Sequence, residues 1–441
     1  MSLERRPHLL YVAWGYPPSR SGGAYRLLAT ANAFARSGWD VTVLTCEREV
    51  FLRSTGIDPS MEERIDPSID VHRLPFPNRE TILDLTQWSR FRAWAPEIWN
   101  MLQAMQTART FPEPRYGLWR PVLENAAEQV HQKHPVDLVI GSANPNVVHV
   151  AGAYLHQQHG VPFVMDYRDT WQLDMYSGKR TLSDRHPAAT WERKLVGDAA
   201  EIWFVNDPIA QWHAELYPDA AERIRVVPNG FDPGFVGAAA VSKHSAPTTV
   251  HVGNIGTMTG QTPIRPLIEG WTLARQSGDA LADAQLDLYG YLGHQGDDEG
   301  GVLTAISEVG DCSVAYRGPV AKAEISAIYN GLDVLILPLG TSRFMTSGKV
   351  FEYMATGLPI VSVHDPVNAS SGVLSGYPGW FPVELMDAAS IADALGKAVT
   401  YARGQTDADR VAAREWASAF ERSNILEPII ERWTERIEKG S

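Results

Sequence analysis

What most constrains this chain is a rhythm: a short apolar run, a turn rich in glycine or proline, a stretch of helical spacing, then another apolar run. HLLYVAW is followed by the loop YPPSRSGG, the helical stretch AYRLLATANAFARSG and a second strand, WDVTVLT. A strand, a crossover helix and a second strand imply a parallel pair with a right-handed connection. The pattern returns in VDLVIGS, VVHVAGAYLHQQHG and VPFVMDY, and again in AEIWFVN and IRVVPNG. Four or five parallel strands in a doubly wound domain are expected.

The rhythm stops between about Asn78 and His134, where Trp88, Trp94, Trp99 and Trp119 stand among helix formers and prolines. This segment reads as a helical insertion. Its tryptophans read first as core and helix-packing residues, second as an acceptor-binding wall or a partner surface. From Phe235 to Thr249 the chain turns polar, as a linker does, and the alternation then restarts: TVHVGNIG, IRPLIEGWTLARQSG, AQLDLYG, SVAYRG, KAEISAIYNG, DVLILPL, KVFEYMATG, LPIVSVH. The expected fold class is therefore α/β, with two Rossmann-like doubly wound parallel-sheet domains facing a cleft. Residues 1–234 form the first, with its insertion at about 78–134, and 250–406 the second; 407–441 is a helical tail. A length of 441 residues suits two large domains.

Composition narrows the function. A formal charge of −13 argues against a nucleic-acid partner, which would need clustered Lys and Arg, and leaves at most peripheral membrane contact. Cys46 and Cys312 stand far apart with no metal-ligand spacing, so neither a disulfide framework nor a zinc site is expected. The first apolar run is too short for a signal-peptide core or a membrane span. A cytoplasmic protein is the expectation.

Open α/β sheets bind ligands beyond the carboxyl ends of their strands. Gly22 and Gly23 stand there, after the first strand and at the start of a helix, where free backbone N–H groups suit a phosphate or a sugar. Gly253, Gly256 and Gly260 follow the first strand of the second domain like a loosened phosphate loop, but not with dinucleotide-binding spacing. The most informative segment is LPLGTSRFMTSGKVFEYMATGLPIVSV. Ser347 is a good N-cap, so the N–H groups of Gly348 and Lys349 point at a ligand with the positive end of a helix behind them. Lys349 opposes that dipole, which an anionic ligand would explain. Glu352, one turn on, offers two acceptor oxygens to ribose hydroxyls.

With these segments on the page, the chain resembles the large family of retaining glycosyltransferases of GT-B fold numbered four. The resemblance rests on YPPSRSGG with SGWDVTVLT, VPFVMDYRDTW, RIRVVPNGFD, HVGNIG, VAYRGPVAKAEISAIYNGLDVLILP and FEYMATGLPIV. It covers nearly the whole chain apart from the insertion. It implies that Gly23 abuts the donor's phosphate or sugar, that Arg317 and Gly318 border the base, and that Glu352 holds the ribose. The family's first paired glutamate would fall at Phe344, and its usual Arg and Lys after the first strand of the second domain are absent, with Asn254 and Gln261 nearby. The chain looks more like a subgroup with RDxW and SKxFEYMA-like segments, several of whose members build cell-surface polysaccharides.

Some cation must meet the leaving diphosphate as charge develops on it; Arg343, Lys349 and Arg168 are the candidates. Asp169 is expected to face the sugar or the acceptor hydroxyl, with Arg168 as its partner or as a phosphate clamp. Asn144 and Trp171 are candidate acceptor contacts; His149 reads as packed within its helix. The only DxD sequence, Asp407-Ala408-Asp409, reads as a helix cap, and neither a divalent ion nor any other cofactor is expected beyond a nucleotide-diphosphate sugar as co-substrate. The expected activity is transfer of a sugar from that donor to the hydroxyl of a sugar, lipid-linked or small-molecule acceptor. A nucleotide-sugar epimerase of the same fold, a two-domain solute-binding protein and a catalytically silent GT-B subunit are the alternatives.

Overall fold

The computed structural model describes residues 5–77, 84–236, 249–293, 301–309, 313–321 and 324–440. Most of the expected linker, the start of the insertion and Cys312 lie outside them; Cys46 is buried as a free thiol. The chain forms two compact units. One comprises Met1–Asp174, Lys179–Pro228 and Ile425–Ser441, the other Met175–Gly178 and Asn229–Asn424.

The first unit holds a seven-stranded parallel sheet: β1 (His8–Val12), β2 (Asp40–Cys46), β3 (Asp70–Leu74), β4 (Leu138–Ala143), β5 (Phe163–Tyr167), β6 (Glu201–Phe204) and β7 (Ile224–Val226). Their order is β3-β2-β1-β4-β5-β6-β7, so the strand order reverses between β1 and β4. The central strands are apolar throughout because helices cover both faces. Seven strands exceed the expected four or five. The one that had no apolar run to announce it is β3, DVHRL, a half-exposed edge strand of mixed polarity.

Leu9, Tyr11, Phe34, Trp39 and Trp203 form the core of this unit, joined by Leu426, Ile430 and Trp433 from the last helix, Arg422–Gly440. Those three recur at helical spacing, which gives the helix one face to bury. Trp39 Nε1 donates to Thr434 Oγ1 at 2.9 Å, and Arg432 binds both oxygens of Glu201 at 2.9 Å. The tail is therefore divided, because the helix before it, Asp407–Ala417, packs in the second unit through Ala413 and Ala417. Thr406 and Asp409 close that helix with a reciprocal capping box, so the DxD sequence does cap a helix. The insertion supplies the helices Arg90–Trp94 and Pro96–Thr110 ahead of the crossover helix Arg120–Lys133. Trp99 and Trp119 are buried, whereas Trp94 is 83% exposed.

In the second unit six parallel strands run in the order β10-β9-β8-β11-β12-β13. They are β8 (His251–Ile255), β9 (Gln285–Tyr289), β10 (Val314–Gly318), β11 (Val334–Gly340), β12 (Ile360–His364) and β13 (Trp380–Pro382). Here the order reverses between β8 and β11. The three-residue β13 is too short to register as an apolar run. Trp271, Leu286, Ile336 and Leu395 are fully buried in one core cluster, Phe351, Tyr353 and Met354 in another.

Candidate functional site

The carboxyl edge of the first sheet is organised around a buried ion pair. Arg26, on the helix Ala24–Arg36, places Nη2 2.7 Å and Nε 3.2 Å from the two oxygens of Asp166 on β5, and Ser142 of β4 donates to the same carboxylate at 2.7 Å. Arg26 Nη1 also donates to the carbonyls of Val227 and Pro228, at 2.9 Å each. Burial alone would raise the Asp166 carboxyl, but the Arg26 guanidinium beside it holds it below its ordinary range. The pair fixes the end of β5, and with it the residues that follow.

Arg168 turns back toward the start of the Ala24–Arg36 helix. Its Nε donates to Ala143 O at 2.7 Å and its Nη2 to Asn144 O at 3.3 Å. Asn144 Nδ2 in turn donates to Asp169 Oδ2 at 3.1 Å. A Cβ added to Gly23 would fall 1.3 Å from Arg168 Nη1, so the glycine makes room for the guanidinium. Gly22 beside it is exposed, with open space where a side chain would go. A cation at a helix N-terminus opposes the helix dipole, and burial lowers the Arg168 pKa further. Both costs would be relieved by an anion. Gly23, Asn144, Arg168 and Asp169 are thus brought together.

Trp171 stacks on Phe111 of the insertion, with ring centroids 5.2 Å apart. The loop that carries it is held by a residue the sequence gave no reason to single out. Glu192 is fully buried and accepts from Tyr167 Oη and Tyr217 Oη at 2.9 Å each and from Gln172 Nε2. Glu113 was equally invisible: it accepts from the backbone N–H groups of Asn146 and Val147 at 2.8 Å each, filling the helix start after β4 with the chain's own carboxylate. His149 is buried, as expected of a packed residue, with neither ring nitrogen hydrogen-bonded, and burial pushes it down to about 3.

In the second unit four strands run into glycine at their carboxyl ends: Gly256 after β8, Gly290 after β9, Gly318 on β10 and Gly340 on β11. Gly290 has φ +134°, and a Cβ on it would meet Gly256 O at 1.9 Å; one on Gly340 would meet Gln261 O at 2.7 Å. This edge is lined by backbone at contact distance, which only glycine permits. Of these, Gly290 and Gly340 were not singled out by sequence.

The helix Gly348–Thr356 starts here, and the expected cap is present: Ser347 Oγ accepts from Lys349 N at 3.2 Å. Lys349 Nζ lies 2.7 Å from Glu352 Oε2, and Tyr329 Oη donates to the same oxygen at 3.3 Å. The helix dipole is thus not the only thing Lys349 answers to, since Glu352 supplies a counter-charge. Tyr353, on the buried side, ties the helix to β8 by accepting from Ile255 N at 2.8 Å.

The other donor candidates divide by environment. Arg317 ends in a 2.7 Å bond to Asp287 on the neighbouring strand, with its side chain half exposed. Gly256 keeps an open face. Gly253 and Asn254 lie inside β8: a Cβ on Gly253 would strike Leu332 at 2.6 Å, and Asn254 Nδ2 donates to Ile336 O at 3.1 Å, bridging β8 to β11 past their last paired residues. Phe344 packs against Gly178 with Arg343 above its ring at 5.6 Å, and the Arg343 side chain is exposed. Among the described residues no three His, Cys, Asp or Glu side chains are grouped to hold a metal.

Comparison with known proteins agrees with both units. Residues 21–230 match the family described as Glycosyl transferase 4-like domain, and residues 246–400 that described as Glycosyl transferases group 1. A search of curated protein sequences finds no significant match. Among solved structures, sucrose-phosphate synthase from Thermosynechococcus elongatus is 16% identical with a TM-score of 0.64, over 99% of this chain and 100% of that one. A glycosyltransferase from Rickettsia africae is 12% identical with a TM-score of 0.66, over 99% and 100%. HepE of Anabaena in complex with UDP is 17% identical with a TM-score of 0.61, over 97% and 100%, and it has also been solved with UDP-glucose. With both halves matched and the two parallel sheets of these structures reproduced, the chain belongs to the group 1 glycosyltransferases of GT-B fold.

Proposed function

We propose that the chain moves a sugar from a nucleoside-diphosphate donor to an acceptor hydroxyl. The observation that carries this reading is the capped start of the helix Gly348–Thr356, where the helix N-terminus, Lys349 and Glu352 come together in a unit whose strand ends are stripped to glycine. Backbone N–H groups and Lys349 suit a diphosphate, and Glu352 suits the ribose hydroxyls. Arg317 and Gly318 border the base. That HepE, a structure of similar fold, was solved with UDP and UDP-glucose supports a nucleotide donor.

On the first unit, Arg168 meets phosphate charge and Asp169, held by Asn144, orients the acceptor hydroxyl. The hydroxyl oxygen bonds to the anomeric carbon, the bond from that carbon to the diphosphate breaks, and the hydroxyl proton passes to the departing phosphate oxygen. Attack on the face the diphosphate leaves gives retention, as the resemblance implies. On the second unit, Lys349 and Arg343 stabilise the leaving group, and we propose that no divalent ion is required. Membership of a cytoplasmic pathway building a polysaccharide completes the reading.

The test is incubation with isotopically labelled UDP, GDP, ADP and TDP sugars, each with and without a panel of glycan acceptors, in the presence and absence of EDTA. Labelled product that depends on acceptor and survives EDTA is expected. Conversion of donor without acceptor would mark an epimerase, and no conversion under any condition would mark a silent subunit.

A further inference from the structure

Parallel strands covered by helices on both faces are apolar, yet one face of the first sheet turns polar at its amino edge. His8, Asp40 and Asp70 begin β1, β2 and β3. Thr42 and His72 stand two residues further along β2 and β3, on the same face because side chains alternate. Between these strand starts and the helix Arg120–Lys133 lies a cavity of about 410 Å³, with Leu74, Ala126 and Val130 as its carbon wall. Small-molecule sites have volumes of roughly 300–1,000 Å³. Gly23, Asn144 and Arg168 stand at the other, carboxyl edge of the same sheet.

The hydrogen bonds around the cavity run in one direction. His8 is 1% exposed, and its Nδ1 lies 3.1 Å from His134 O and 3.3 Å from Pro135 O. Carbonyls only accept, so Nδ1 carries the ring proton. Nε2 must then accept, and it lies 2.9 Å from Thr42 Oγ1, so the threonine gives its one proton to the imidazole. What the Thr42 hydroxyl has left is lone pairs. Burial, and after it the His134 ring stacked at 4.2 Å, hold His8 below its ordinary pKa and therefore uncharged.

Asp40 adds two more acceptor oxygens. They lie 3.7 Å from His134 Nε2 and 3.8 Å from Arg6 Nη1, beyond hydrogen-bond reach. Gln129 and Lys133 bring donors from the helix side. The carboxylates of Asp40 and Asp70 are offset by the cations of Lys133 and Arg6, so the fixed charges cancel and select neither an anion nor a cation. A fitting ligand has several hydroxyl groups, which donate to Thr42 and Asp40 and accept from Gln129, and a C–H face for the carbon wall. A neutral sugar ring offers both.

We infer that the cavity between the helix Arg120–Lys133 and the starts of β1, β2 and β3 is a second, non-catalytic binding site for a neutral saccharide. It shares no residue with the transfer edge and binds without turnover. The inference stands without the transfer reading, because a binding measurement alone decides it.

Isothermal titration of the full chain with glucose, galactose, mannose and N-acetylglucosamine, set against glucuronate and glucosamine, is the test. At least one neutral sugar is expected to bind, and more tightly than either charged one. Gln129→Ala should weaken that binding about fivefold, the worth of one hydrogen bond, and Gln129→Trp, which sets an indole at the cavity wall, should abolish it. Asp169→Asn at the transfer edge and Gln276→Ala on the second unit should bind like the parent. Thermal melting of each variant checks that it remains folded. The proposal is overturned by no binding of any neutral sugar, by unchanged binding in folded Gln129→Trp, by loss in Asp169→Asn, or by tighter binding of glucuronate or glucosamine.

Discussion

The guanidinium of Arg168 occupies the space that any side chain at position 23 would need, 1.3 Å from where a Cβ on Gly23 would stand. Gly23 is thereby tied to a cation as well as to the start of the helix Ala24–Arg36. Gly23→Ala is predicted to push Arg168 off the carbonyls of Ala143 and Asn144. Because small displacements of a charge-stabilising group are costly, transfer should slow by about a hundredfold, with the melting temperature little changed. Initial rates and thermal melts of variant and parent decide it; an unaltered rate would remove Arg168 from the chemistry.

The Arg26–Asp166 pair is a stability element. Replacing either partner, as in Arg26→Met or Asp166→Asn, leaves the other buried without its counter-charge, at a cost of about 3–5 kcal/mol. The urea midpoint of the first unit should fall accordingly. Asp166 titrates below its ordinary value in the folded chain. Its contribution is therefore present above the unfolded pKa and is lost as pH falls through the lowered folded one.

His149 gives a second pH signature in a different window. Burial pushes it down to about 3, against about 6.5 in an unfolded chain. Between those values the unfolded state binds a proton that the folded state refuses. Stability should therefore be highest above the unfolded pKa and fall with acidification, by up to about 1.4 kcal/mol per pH unit. Urea midpoints at neutral and mildly acidic pH should converge in His149→Leu relative to the parent; equal slopes would show that the dependence comes from elsewhere.

Much of this architecture was written in local pattern. The strands buried on both faces, β1, β4, β5 and β11 among them, announce themselves as apolar runs because helices cover both sides. β3 and β13 do not, one being a half-exposed edge strand and the other three residues long. At the site, residues whose role is local were legible: Ser347 as a cap, Gly23 at a helix start. Residues that act across long sequence separation were not. Arg26 meets Asp166 140 positions away, and Glu113 caps a helix that starts 33 positions later. Asn254 fits a ligand loop by position, yet its Nδ2 bonds Ile336 O where β8 and β11 part. No single-sequence signal carries that.

Phe344 stands where the resemblance would place a glutamate, and it is buried beside Gly178. Phe344→Glu would bury a charge against Gly178, so the variant is predicted to melt lower than the parent and to gain no activity. Assays of transfer and melting check both halves; a stable variant with raised activity would mean the site accepts the family's usual pair.

The claim on which the functional reading turns is a nucleotide site at the start of the helix Gly348–Thr356. Thermal-shift titration with UDP, GDP, ADP and TDP tests it most directly. Because a ligand of the folded state alone stabilises by about 2.7 kcal/mol at a hundred times its Kd, one of the four is predicted to raise the melting temperature with the logarithm of its concentration. That rise should be lost in Lys349→Ala and in Glu352→Ala. No shift with any of the four, or an identical shift in both variants, would contradict the assignment.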